Sequence, residues 1–113
     1  MESRIRLAEL VADTVKAQNA DFLATDVQTS RATSYLRIAV AVQSAVKVKL
    51  VPSSGTAFYL NNGDALVADA VIVNDVPVDD GRTWNLQTDD AAGCTVSHLT
   101  IDEVWDVGST ATR

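Results

Sequence analysis

Large apolar residues recur at every second position over much of this 113-residue chain. In Tyr35–Val42, Leu36, Ile38, Val40 and Val42 alternate with Tyr35, Arg37, Ala39 and Ala41. A period of two turns one set toward a core and the other toward solvent or a partner, which predicts a half-buried strand. Val46-Lys47-Val48-Lys49-Leu50 repeats the pattern with both lysines outward, and Pro52-Ser53-Ser54-Gly55 breaks it. Residues 56–60 form a further short strand, closed by Asn61-Asn62-Gly63, whose residues tolerate positive φ in a turn. The β-branched run 70–74 is followed by Val76-Pro77-Val78, and proline, with no N–H to donate, predicts an edge strand or a bend. After the turn Asp79-Asp80-Gly81, residues 83–87 read as a strand with Trp84 and Leu86 inward. A loop at 89–93 leads into a last strand over 95–104, with Leu99 and Ile101 inward.

About seven or eight short strands at this spacing, separated by turn signals, predict an all-β fold. The expected architecture is an antiparallel β-sandwich, jelly-roll or Greek-key-like. The N-terminal segment reads two ways. On a helical wheel Leu7, Leu10, Val11 and Val15 oppose Arg6, Glu9, Asp13 and Lys16. Arg4-Ile5-Arg6-Leu7 also alternates with period two, and the all-β remainder favours an extended arm plus strand over a short helix. The expected organisation is an N-terminal arm over residues 1–10 and one β-sandwich domain over 11–113.

Composition narrows the function. Cys94 is the single cysteine, so the chain contains no internal disulfide and no multi-cysteine metal site; His98 is the single histidine. No apolar run is long enough for a membrane span, and Glu9 and Asp13 interrupt what would be a signal-peptide core, so a non-secreted chain without membrane association is expected. Residues 1–50 hold seven Lys/Arg and five Asp/Glu, whereas residues 51–113 hold two Lys/Arg and ten Asp/Glu. The net charge of −6 disfavours free nucleic acid as partner. The split favours either a solvated acidic face or copies meeting positive half to acidic half.

Catalytic chemistry is hard to find. His98 lies out of phase with Leu99 and Ile101, on the outer side of its strand, and Cys94 reads as a small, partly buried residue. Asp79-Asp80, Asp89-Asp90 and Asp102-Glu103 offer oxygen ligands, but their spacing matches no calcium loop. There is no phosphate-cradling glycine loop and no Gly-x-Ser-x-Gly elbow. No enzymatic activity, cofactor or metal is expected. Trp84 is in phase with the core, while Trp105 stands beside Asp106 as a candidate exposed contact. Outward Tyr35, Arg37, Lys47 and Lys49, with Arg4, Arg6 and Trp105, make up the candidate protein interface.

The layout as a whole carries a resemblance. It runs from Leu10-Val11-Ala12-Asp13-Thr14-Val15 through Thr29-Ser30-Arg31, the strand Tyr35–Val42 and Leu60-Asn61-Asn62-Gly63-Asp64-Ala65-Leu66. Val76-Pro77-Val78-Asp79-Asp80-Gly81 and the closing Leu99-Thr100-Ile101-Asp102-Glu103-Val104 complete it. This resembles small β-sandwich virion structural proteins of tailed bacteriophages and archaeal viruses, the capsid decoration (cement) and tail accessory types. The resemblance implies a many-copy structural role in the virion, assembled in the host cytoplasm. It implies as partners the major capsid protein or other virion subunits, and the chain itself as a trimer or other small homo-oligomer. A tail, collar or spike component and a carbohydrate- or receptor-binding module are the alternatives.

Overall fold

A computed structural model describes residues 2–106. Eight strands follow in order: β1 (Glu2–Leu10), β2 (Thr14–Lys16), β3 (Tyr35–Val42), β4 (Val48–Pro52), β5 (Phe58–Tyr59), β6 (Ile72–Pro77), β7 (Trp84–Thr88) and β8 (Cys94–Asp106). They form two antiparallel sheets. The larger has the order β1-β8-β3-β6, with β2 also paired to β8, and the smaller has the order β5-β4-β7. The fold is an all-β sandwich, as the alternation predicts.

The core lies between the sheets. Leu36, Ile38, Val40 and Val42 of β3 and Val96, Leu99 and Ile101 of β8 face Val48 and Leu50 of β4 and Trp84 and Leu86 of β7. Phe22, Leu23, Val27, Leu60 and Leu66 close the gaps from the connecting segments. Two bulges keep the register. Val42 pairs with Val96 but Ala41 with His98, so Ser97 is the extra residue. That bulge lets both Val96 and Leu99 face inward although strict alternation would separate them. A second bulge lies between Arg6 and Ala8 of β1.

The N-terminal segment is neither a helix nor a free arm. Residues 2–10 form β1, paired along their length with β8 from Glu2–Asp106 to Leu10–Leu99. Leu7, Ala8 and Leu10 pack against the core while Ile5 stays exposed, so the segment is extended because β8 supplies a partner, and the bulge at Leu7 breaks the alternation read from Arg4–Leu7. Val11 and Val15, on the apolar side of the helical wheel, are both exposed. The strand expected over 56–60 shrinks to Phe58–Tyr59, and the two apolar segments around residue 75 merge into one edge strand ending in Pro77. Asn61, Asn62 and Gly63 all have positive φ, as their turn chemistry requires.

The open edge of the smaller sheet is closed in a specific way. Phe22 N–H donates to Leu86 O at 2.8 Å, Asn19 N–H donates to Thr88 O at 2.7 Å, and Val27 exchanges two bonds with Trp84. Between Phe22 and Val27 the backbone leaves the ladder, and the Asn85 side chain fills the vacant rung. Its Oδ1 accepts from Leu23 N–H (3.0 Å) and Leu86 N–H (2.8 Å), and its Nδ2 donates to Leu23 O (3.0 Å).

Candidate functional site

The outer face of the larger sheet carries the densest arrangement of charge. Pairing sets Arg6 of β1 beside Asp102 of β8, Asp102 beside Arg37 of β3, and Arg37 beside Asp75 of β6. Four neighbouring strands thus present one transverse row of alternating sign. Arg6 bonds Asp102 through Nε and Glu9 through Nη1 at 3.1 Å. Arg37 holds Asp75 at 2.9 Å and Glu2 at 3.0 Å, and its Nη2 donates to the Tyr35 hydroxyl at 3.2 Å. That hydroxyl donates in turn to Glu2 at 3.1 Å.

Electrostatics follow from these contacts. Hydrogen bonds from Arg37 and Tyr35 hold the Glu2 carboxyl below its ordinary value. Desolvation, then the bond to Glu2, pushes the Tyr35 phenol up. Bonds to Asp75 and Glu2 hold the Arg37 proton more firmly, and Asp102 does the same for Arg6. At neutral pH Glu2 is therefore a carboxylate, Arg6 and Arg37 keep their charge, and the Tyr35 phenol keeps its proton.

Of the seven candidate interface residues, Arg6, Tyr35 and Arg37 come together here, and Arg4 shares their face by register. Arg4 is exposed and has no ion pair among the described residues. Lys49 sits on the other sheet and Lys47 just before it, with Lys47 lying 5.7 Å from the Tyr59 ring and Lys49 donating to Asn19 Oδ1 at 3.1 Å. Trp105 is half-buried under the Arg31 guanidinium, 3.6 Å from its ring centroid, rather than fully exposed.

Sequence reasoning did not bring Glu2, Asp75 and Asp102 to these arginines, because contacts across 35 to 96 positions of sequence set the row. It weighed Glu103 only as an oxygen ligand beside Asp102. This carboxylate is in phase with Leu99 and Ile101 and is 1% exposed, a parity that could have marked it as a buried charge in need of partners. Glu103 accepts from Ser34 Oγ at 2.6 Å, from Ser30 N–H and Oγ at 3.0 Å, and from Arg31 at 3.4 Å. Burial pushes its pKa up, but the bonds from Ser34, Ser30 and Arg31 outweigh that and set it below the ordinary value. Glu103 thereby anchors the loop that enters β3.

The acidic pairs do not converge. Asp79 pairs with Arg82 at 2.7 Å and Asp89 accepts from Tyr59. Among the described residues no group of three or more His, Cys, Asp or Glu is placed to hold a metal. His98 is half-buried opposite Ala41, Cys94 is buried, and among the described residues no helix is long and apolar enough to cross a membrane. No protein-family model, curated protein or solved structure matches this chain.

Proposed function

We propose that this chain is a virion structural protein, a capsid decoration (cement) protein that binds the major capsid lattice and stabilises the particle as a homo-oligomer. The observation that carries the reading is the uneven treatment of sheet edges. The β7 edge is sealed by residues 19–27, whereas β1 and β6 have no further backbone partner among the described residues. Two open edges flanking a rigid charged face suit a protein that bridges neighbouring subunits by strand addition and charge pairing. The strand-and-turn layout, with its resemblance to small virion sandwiches, supports the same role.

A receptor- or carbohydrate-binding module would favour an open aromatic platform, and Trp105 is instead capped by Arg31. The deciding experiment is purification of particles containing the chain, with its copy number measured and its position seen by cryo-electron microscopy. High, symmetric occupancy on the capsid supports the proposal. Absence from particles together with specific glycan-array binding overturns it.

A further inference from the structure

The two open edges of the larger sheet differ in charge and match in direction. Each neighbouring pair in the order β1-β8-β3-β6 is antiparallel, so β6 runs opposite to β1. A second copy moved sideways without being turned over therefore offers its β1 antiparallel to β6 of the first, with inner and outer faces aligned. Building on the homo-oligomeric reading above, we propose that copies associate head to tail, β6 of one against β1 of the next. The larger sheet then continues across the contact.

Charge supports this pairing over its alternatives. Between Lys49 and Arg82 the chain has five aspartates and no basic residue, so a β6-to-β6 contact brings acid to acid. On β1, Glu2 is engaged by Arg37, Glu9 by Arg6 and Arg6 by Asp102, which leaves Arg4, whose charge also acts on Glu2 through space, as the cation without an ion pair among the described residues. Arg4 and Asp75 share the outer face, and seating the first opposite the second gives Asp75, already bonded by Arg37, a second cation on its open side and extends the alternating row from one copy into the next.

Apolar surface follows the same line. Val67 and Val71, before or at the start of β6, and Val73 on its outer face are 62%, 53% and 58% exposed, while Ile5, on the inner face of β1 by register, is 54% exposed. Such a contact is heterologous: each copy uses two different edges, so the assembly closes as a ring or grows until it is capped. Pro77 ends the usable edge of β6 and limits the contact to its first five residues.

Mixing two variants of the full chain provides the test. Arg4→Glu spoils the β1 edge and leaves β6 intact, whereas Val73→Lys spoils β6 and leaves β1 intact. Both side chains are exposed, and circular dichroism checks that each variant folds. Sedimentation velocity should show wild type assembling with concentration, and each variant alone weakened by ~10-fold or more. An equimolar mixture should form a dimer that grows no further, because one good edge of each kind remains. A monomeric wild type at all concentrations, variants that assemble like wild type, or a mixture that stays monomeric overturns the head-to-tail contact. Binding of such monomers to capsids would still leave the decoration role standing, so the two readings fail separately.

Discussion

In an Asn85→Ala variant three buried backbone groups lose their partners together: the N–H of Leu23, the N–H of Leu86 and the C=O of Leu23. Each orphaned group costs about 1–3 kcal/mol when water cannot reach it. Full orphaning would therefore cost up to ~9 kcal/mol, but the segment around exposed Asp26 can loosen and admit water, which brings the expected loss to ~3–5 kcal/mol. Unfolding entropy near ~2.1 cal/mol/K per residue gives ~0.24 kcal/mol/K for 113 residues, so Tm should fall by ~12–20 °C. Thermal unfolding measures the global term. Hydrogen exchange measures the local one, with the Phe22, Leu23 and Val27 amides expected to lose protection before those of β3. An Asn85→Asp variant keeps the acceptor for both N–H groups but sets a carboxylate against Asp26, which Asn85 Nδ2 now contacts at 2.7 Å. It should fall between wild type and alanine. A Tm loss under ~4 °C for Asn85→Ala would mean that water replaces the amide and that the edge is not sealed by this side chain.

Other substitutions probe separate features. Gly93 has φ of +70° and an added Cβ would stand 2.2 Å from Lys16 O, whereas Gly63 at +86° has open space around it. Gly93→Ala should cost at least ~2–3 kcal/mol and free β2 from β8, while Gly63→Ala should cost only the ~1 kcal/mol of left-handed backbone, both read by urea unfolding. Because the Glu103 pKa is lowered in the folded chain, its stabilisation is present above the ordinary carboxylate range and is lost as pH falls through the folded value. Urea midpoints followed from pH 7 downward should thus drop less steeply in Glu103→Gln than in wild type; equal slopes would remove Glu103 from the acid response. Burial, with Asp90 adding to it, pushes the Cys94 thiol up, so native protein should resist iodoacetamide at pH 7.5 and react once unfolded in urea.

The inward faces were legible because Leu36, Ile38 and Val40 alternate without interruption, and the same rule placed Trp84 and Leu86. It fails at Ser97, where a bulge shifts the parity and Val96 and Leu99 both enter the core. Nothing local marks Ser97 as the extra residue, since the shift accommodates β3 some 55 positions earlier. Residues 6–16 fit a helical period and residues 4–7 an extended one, and pairing with distant β8 decides between them. The candidate site was half legible on the same grounds. Outward Tyr35 and Arg37 follow from alternation, but their carboxylate partners depend on strand order, which no single segment encodes. Asn85 was hidden for a related reason: its role is defined by a gap in the backbone of a distant segment.

Strand order also changes what the segregation of charge along the chain means. The basic half supplies β1 and β3 and the acidic half supplies β8 and β6, and in the larger sheet these strands alternate. Segregation along the chain thus becomes alternation across it, and Arg6, Arg31 and Arg37 meet Asp102, Glu103 and Asp75 within one molecule. A simple attraction between positive and negative halves of separate copies is therefore largely used up by folding. The head-to-tail contact proposed above would draw on the two ends of the row, where β1 and β6 have no further backbone partner among the described residues. Only a neighbour in the same orientation meets both at once, so the folding that neutralises the interior of the row also gives its ends a direction.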